Sequence, residues 1–118
     1  MTVTHRVQAT WKEEMAFDAE VNGEHLLLDA APEHGGSGAG VRPKPLLLTA
    51  LAGCTGMDVV VILRKMREPL RHFRVFVEAE LSDGQPAVYE RMRVVYEFSR
   101  GDGLTESKVE RAVSLSQE

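Results

Sequence analysis

Cysteine is nearly absent from this sequence: Cys54 is the only one among 118 residues. Because one cysteine cannot form an internal disulfide, the chain has no disulfide framework. The N-terminal segment, MTVTHRVQATW, also lacks the apolar stretch of a secretory signal peptide. These two absences predict a protein of the reducing cytoplasm.

The spacings that hold metals and nucleotides are missing too. The histidines His5, His25, His34 and His72 form no H-x-x-x-H pair, and there is no Cys-x-x-Cys, so we expect no metal site. The glycine-rich stretch APEHGGSGAGVRP lacks the GK[ST] of a P-loop and predicts a mobile loop rather than a phosphate site. No cofactor is expected.

Neither sign of charge dominates the sequence, because acidic residues exceed basic ones only slightly and the formal net charge is −4. This weak acidity argues against nucleic acid and anionic membranes as partners. A basic cluster near the middle of the chain is interpreted as a helix C-terminus that complements its dipole, followed by the solvated face of a strand. Its members are Arg64, Lys65, Arg67, Arg71 and Arg74.

The chain has the length of one domain, and its periodicities predict a single α+β domain over residues 1–118. Three strands are expected first, in HRVQATW, MAFDAEV and EHLLLDA, with a hairpin at Asn22–Gly23. A long helix over Leu46–Arg67 and the strands RHFRVFVEAEL and YERMRVVYEF follow. The segment LTESKVERAVSLSQE predicts a last helix, capped by Thr105 or by a Ser107–Glu110 capping box. Its apolar pattern continues to the chain end, so we expect the domain to have a further C-terminal segment.

The central helix is almost devoid of charge, since Asp58 is the only charged residue between Leu46 and Leu63. A helix that is apolar on all sides must be buried on all sides. One antiparallel sheet of five strands and a short helix cannot cover it, so a second copy of the chain is the simplest cover and predicts a C2 homodimer. Gly53 and Gly56 would let another backbone come close. A membrane span is disfavoured, because Asp58 near its middle would cost about 2.5–3.5 kcal/mol.

Cys54 belongs to one stripe of this helix. Spacing of three and four residues groups it with Leu47, Ala50, Leu51, Asp58, Val61 and Lys65. Most lone cysteines are small inert hydrophobes, and spacing alone favours that interpretation. A reactive thiol would need a nearby cation to stabilise its thiolate. Lys44 and Arg42, at the helix entrance, are the candidates from this chain or its partner, whereas Asp58 would oppose them.

The segment RPKPLLLTALAGCTGMDVVVILRKMRE resembles the OsmC/Ohr superfamily of osmotically inducible and organic-hydroperoxide-resistance proteins, and especially its OsmC-like branch. A proline-led entry to a long helix, the LAGC motif ending at Cys54, the ATW opening ending at Trp11 and the order of elements carry the resemblance. It implies an intertwined α+β homodimer with active sites at the subunit interface. It also implies thiol-dependent reduction of organic hydroperoxides, with Cys54 as the peroxidatic cysteine that becomes a sulfenic acid.

The sequence departs from the family pattern at three positions. The family's second cysteine, which resolves the sulfenic acid as a disulfide that external dithiols reduce, would fall after Glu118. The family's glutamate corresponds to Lys44, and the nearest position to its activating arginine is Phe17.

Two hypotheses follow for the function. The first is a thiol-dependent hydroperoxide reductase of the oxidative-stress response, an antioxidant peroxidase that uses a small-molecule hydroperoxide and an external dithiol. The second is a non-catalytic OsmC-like dimer that binds a small apolar ligand at the subunit interface. In the second case Cys54 serves packing, and Met15, Phe17 and Met57 are candidates to line the cleft.

Overall fold

The computed structural model describes residues 2–117 and has the predicted α+β class. In chain order the elements are β1 (Val7–Glu13), β2 (Ala16–Val21), β3 (Glu24–Leu28), α1 (Pro43–Lys65), β4 (Phe73–Leu81), β5 (Tyr89–Phe98) and α2 (Glu106–Ser116). Single turns of 3-10 helix occur at Pro32–His34 and Arg100–Asp102. The chain divides into two compact units, one ending at Leu46 and one beginning at Leu47.

All strands are antiparallel, as predicted, but they form two sheets where the sequence suggested one. The first sheet has the order β1-β2-β3, and the second is the β4-β5 hairpin. Alternating apolar residues show which segments are extended and which face is apolar. They do not show which strand edges pair across a long connection, so the division of the five strands into two sheets could not be predicted from the sequence.

The first sheet is a meander built around a tight hairpin. Asn22 and Gly23 have positive φ angles of 53° and 82°, as a two-residue turn of this kind requires. The register places Trp11 opposite Phe17 and Val7 opposite Val21. One face is therefore apolar, and it comprises Val7, Ala9, Trp11, Phe17, Ala19, Val21, Leu26 and Leu28. Within the chain only Ala19 of this face is buried.

A buried carboxylate organises the glycine-rich stretch that was expected to be a mobile loop. Asp29, 3% exposed, accepts hydrogen bonds from the Ser37 hydroxyl at 2.7 Å and from the backbone N–H groups of Ala30, Ser37 and Ala39. The Ser37 hydroxyl, followed by these amides, lowers the pKa of Asp29 against the opposing effect of burial. Gly36 is required here, because a Cβ atom would lie 1.9 Å from the Ala30 carbonyl oxygen.

The second unit has its own small core between the helices and the hairpin. Val59 and Leu63 of α1 and Ala112 of α2 are fully buried. Half-buried apolar residues surround them: Ile62, Met66, Leu70, Phe73, Tyr96, Phe98, Val109 and Val113. Phe73, at the start of β4, stacks on Phe98 of β5 with ring centroids 4.8 Å apart.

The outer face of the hairpin carries cross-strand ion pairs. Arg74 pairs with Glu97, and Arg93 pairs with Glu78 at 2.9 Å. Arg74 also lies over the Phe76 ring, 5.3 Å from its centroid. This member of the basic cluster therefore belongs to a solvated strand face, as the sequence analysis proposed.

Helix α1 begins at Pro43, three residues before the predicted start at Leu46, and ends at Lys65, two residues earlier than expected. The Glu68 N–H donates to the Leu63 carbonyl and the Arg67 N–H donates to the Arg64 carbonyl, both at 3.0 Å. These two bonds form a Schellman motif, with Arg67 at φ 58° in the position that glycine usually occupies. The stop signal is thus this left-handed residue, ahead of Pro69.

The predicted Ser107–Glu110 capping box is wrong. Helix α2 begins at Glu106 with Thr105 as its N-cap, so Ser107 lies inside the first turn. The Thr105 side chain makes no capping hydrogen bond to its own helix. Glu68, near the start of the α1–β4 connection, supplies the capping group instead, because its carboxylate accepts a hydrogen bond from the Thr105 N–H.

The two glycines of α1 differ in role. Gly56 is buried, and a Cβ atom there would lie 3.0 Å from Val75 Cγ1, so its small size serves packing against β4 of its own chain. A Cβ atom on Gly53 would have no neighbour within 4 Å in the chain. Of the pair that was expected to admit a second backbone, Gly53 alone retains that role as a prediction.

Candidate thiol site

Cys54 lies in the middle of α1 on an exposed face, although spacing alone favoured a buried, inert side chain. Leu47 and Met57, on the same side of the helix, are 65% and 72% exposed, and Val61 is about half exposed. The opposite side, with Val59 and Leu63, is fully buried in the core of the second unit. The helix therefore has two apolar faces, and the chain covers only the one without the thiol.

The same apolarity satisfies a simple test for a membrane span. Helix α1 has 23 residues and a mean hydropathy of 2.1 over its most apolar window, of which 17% is buried. It is the one helix in the described range 2–117 that is long and apolar enough by these criteria. The core helix of a globular protein passes the same test.

The immediate surroundings of Cys54 on the helix are small or apolar, with one exception. Ala50 lies one turn before it, and Met57 and Asp58 lie one turn after it. The Thr55 hydroxyl donates to the Leu51 carbonyl at 3.0 Å, so its proton is directed to the helix backbone. Asp58 is exposed, and no residue in the described chain gives it a hydrogen bond or an ion pair.

The two predicted cations lie at the entrance to the helix. The guanidinium of Arg42 donates to the Gly40 carbonyl at 2.8 Å, and the Arg42 carbonyl accepts the Leu46 N–H at 3.4 Å. Lys44 is in the first turn of α1. Ten residues of α-helix rise about 15 Å, so the helix holds the Lys44 backbone about that far from Cys54 along its axis.

The three predicted apolar lining residues belong to different parts of the chain, because Met15 lies in the β1–β2 turn, Phe17 in β2 and Met57 in α1. Phe17 lies on the apolar face of the first sheet, opposite Trp11 and Leu28, and is partly exposed. Met57 shares the exposed face of α1 with Cys54. The structure thus brings Met57 and Asp58 beside the thiol on one helix face, while Phe17, Arg42 and Lys44 occupy the first unit.

A second buried carboxylate escaped the sequence analysis. The Asp102 side chain, 3% exposed, accepts the backbone N–H groups of Arg71 and His72 and the Nδ1–H of His72, at 2.7–2.9 Å. The His72 ring, followed by these amides, lowers the pKa of Asp102. Its role is to fasten the start of β4 to the turn before α2. Between residues 2 and 117, no group of three potential metal ligands is present.

Comparison with known proteins gives a consistent assignment. A family model described as OsmC-like protein matches residues 35–118. Protein YhfA of Escherichia coli K12 is 30% identical over 115 residues, which are 96% of this chain and 81% of YhfA.

Two solved structures illustrate the similarity of fold. The OsmC like protein of Mycoplasma pneumoniae has a TM-score of 0.80 at 16% identity, over 98% of this chain and 82% of that one. An organic hydroperoxide resistance protein OsmC from Legionella pneumophila has a TM-score of 0.63 at 16% identity, over 98% and 86% of the two chains.

Proposed function

Because this chain belongs to the OsmC/Ohr superfamily through its OsmC-like sequence, we propose that it is a thiol-dependent reductase of organic hydroperoxides with Cys54 as the nucleophile. The observation that carries the proposal is the position of Cys54. The thiol ends the LAGC motif and stands exposed on an apolar helix face. A structural neighbour named for organic hydroperoxide resistance supports the same role.

The reaction needs a thiolate, a hydroperoxide and an external dithiol. The Cys54 sulfur attacks the terminal peroxide oxygen, the O–O bond breaks, and the products are a sulfenic acid and an alcohol. One thiol of the dithiol then condenses with the sulfenic acid, which releases water and leaves a mixed disulfide. The second thiol displaces Cys54, which restores the thiol and leaves the dithiol oxidised. A dithiol reductant fits a reducing compartment, so we place the protein in the cytoplasm.

The surroundings of the thiol favour bulky organic peroxides over hydrogen peroxide. Met57 and Val61 offer apolar surface within two turns of Cys54. Each buried CH₂ of a substrate contributes about 0.8 kcal/mol, and hydrogen peroxide has none. Phe17 remains a predicted lining residue on the same reasoning.

A homodimer is part of the proposal. The exposed apolar surface on α1 and on the first sheet, which includes Trp11 at 62% exposure, is typical of an interface. A second copy would cover it and would bring a second pair of Arg42 and Lys44 side chains into the assembly. We expect sedimentation to give about twice the 13.1 kDa of one chain. A folded single subunit at micromolar concentration would contradict the dimer.

The activity is tested by the consumption of cumene hydroperoxide in the presence of a dithiol. We expect Cys54→Ser to retain the fold by circular dichroism and to lose at least about 100-fold in kcat/KM, because the nucleophile is removed. Hydrogen peroxide should be a poorer substrate of the wild type. Equal, slow consumption by wild type and variant would exclude the reductase.

The binding module remains the second candidate, and two positions favour it. Lys44 and Phe17 stand where the family resemblance implies the glutamate and arginine that activate the thiol. Alkylation separates the two functions, because iodoacetamide reacts with the thiolate. If Cys54 of the folded protein stays unalkylated at pH 7, an apolar ligand site is the better description.

A further inference from the structure

Asp58 is an isolated charge beside the proposed nucleophile. It is the only charged side chain between Leu46 and Leu63, it is exposed on the same face as Cys54, and it follows Cys54 by four residues. That spacing brings the two Cβ atoms to about 5–6 Å. Both side chains can then reach one small molecule bound on this face.

The carboxylate of Asp58 has no other function that the described residues explain. No hydrogen bond or ion pair engages it in residues 2–117, whereas Asp29 and Asp102 each accept several hydrogen bonds. A carboxylate on a face that a second copy covers would lose its hydration, which is unfavourable without a compensating partner. The Cys54 thiol, which can donate a proton to Asp58, and the alkoxide product, which can accept one from it, would be such partners.

We propose that Asp58 is the proton shuttle of the Cys54 reaction; this inference rests on the proposed reductase function. As Sγ attacks the terminal peroxide oxygen, the Asp58 carboxylate accepts the thiol proton. The O–O bond breaks, the sulfur is oxidised by two electrons, and the alkoxide is released. Asp58 then donates the proton to the alkoxide, which gives the alcohol, while the hydroperoxide hydrogen stays on the sulfenic acid.

The sign of one measurement separates this role from simple electrostatics. A negative charge near Cys54 disfavours its thiolate, so a purely electrostatic Asp58 would slow every reaction of the thiol, and Asp58→Asn would accelerate all of them. A shuttle predicts the opposite for the hydroperoxide, because general acid–base groups contribute typically about 10²–10⁴-fold. Iodoacetamide is the reference reaction: it also needs the thiol proton removed, but its iodide leaves without a proton, so only half of the shuttle acts on it.

The experiment measures both reactions in the full chain. We expect Asp58→Asn to lower kcat/KM for cumene hydroperoxide by about 100-fold or more, and to lower the alkylation rate by much less, because alkylation uses only the removal of the proton and not its return. Asp58→Glu should recover part of the lost activity. The solvent deuterium isotope effect of the wild type should shrink in Asp58→Asn. Asp83→Asn, the same change on an exposed residue of the β4–β5 turn, is the matched control and should behave as wild type.

Each outcome decides the matter. Unchanged or faster hydroperoxide reduction by Asp58→Asn overturns the shuttle while Cys54-dependent turnover of the wild type upholds the reductase. If the wild type is no faster than Cys54→Ser, the reductase and the shuttle both fail. If Asp58→Asn folds poorly, Asp58→Ala replaces it, because alanine is favourable in a helix interior. Asp58→Ala must then lower hydroperoxide reduction much more than alkylation.

Discussion

The carboxylate of Glu68 accepts a hydrogen bond from the backbone N–H of Thr105, the residue that caps α2. The two residues are 37 positions apart in the sequence. The bond fastens the start of the α1–β4 connection to the start of the last helix, where N–H groups lack partners and negative charge is favourable. The cap of α2 is therefore supplied by tertiary structure.

Removal of this carboxylate should weaken the second unit. We expect Glu68→Ala to lower the free energy of unfolding by about 1 kcal/mol, the usual effect of losing a helix cap. Thr105→Ala should have a smaller effect, because the Thr105 hydroxyl makes only a 3.4 Å contact with Glu68 and none with its own helix. Urea denaturation measures both. A larger loss for Thr105→Ala would show that local capping governs this helix.

The left-handed end of α1 offers a substitution that should stabilise the protein. Arg67 has φ 58°, which disfavours any residue with a Cβ atom by about 1 kcal/mol or more. Arg67→Gly should raise the free energy of unfolding by about 0.5 kcal/mol after the greater chain entropy of glycine is deducted. Arg64→Gly, three residues earlier and inside the helix, should instead lower it by about 1 kcal/mol. Thermal and urea unfolding of the two variants should shift in opposite directions.

The buried Asp29 should make stability depend on pH. Its pKa is lower in the folded state than in the unfolded chain, so its contribution is present above about pH 4 and is lost as pH falls through the lowered pKa. Asp29→Asn should be less stable than wild type at pH 7, and the gap should narrow towards pH 3. Urea denaturation at several pH values measures the difference in unfolding free energy between wild type and Asp29→Asn. Asp102 also has a lowered pKa, but it is present in both proteins, so its contribution cancels in this difference. A gap that is constant with pH would contradict the assignment.

The exposed face of α1 should control assembly rather than the fold of one chain. Leu47 is 65% exposed, so Leu47→Glu should leave the secondary structure intact and dissociate the proposed dimer, because a charge would be buried at the interface. Val88→Glu, on a residue that is 53% exposed beside the β4–β5 turn, is the matched control and should remain dimeric. Sedimentation equilibrium distinguishes the two. A dimeric Leu47→Glu would place the interface elsewhere.

The α+β class, the hairpin at Asn22–Gly23 and the central helix were predicted correctly because each depends on local chemistry. Period-two alternation, a dipeptide that adopts positive φ, and a proline-led apolar run all act within a few residues. The end of α1 was misplaced by two residues because an arginine adopted a conformation that is usual for glycine. The predicted Ser107–Glu110 capping box does not form, because α2 begins at Glu106 and the carboxylate of Glu68, remote in sequence, accepts the Thr105 N–H.

The same division holds for the candidate site. The sequence marked Cys54 by its motif and its rarity, and it marked Asp58 as the single charge in an apolar run. It could not show that both lie on the uncovered face of α1, since an evenly apolar helix gives no periodicity to distinguish its sides. Nor could it show that Asp29 and Asp102 are buried and hydrogen-bonded, because their donors come from loops whose paths depend on packing.

The sequence by itself determined the type and order of the elements, the position of the thiol and the scarcity of charge around it, because these follow from residue chemistry over short distances. Only the tertiary structure decided which side of α1 the core of its own unit covers, which strands share a sheet and which carboxylates hold the loops. Those outcomes depend on contacts between residues far apart in the chain, where burial and hydrogen bonding outweigh local preference.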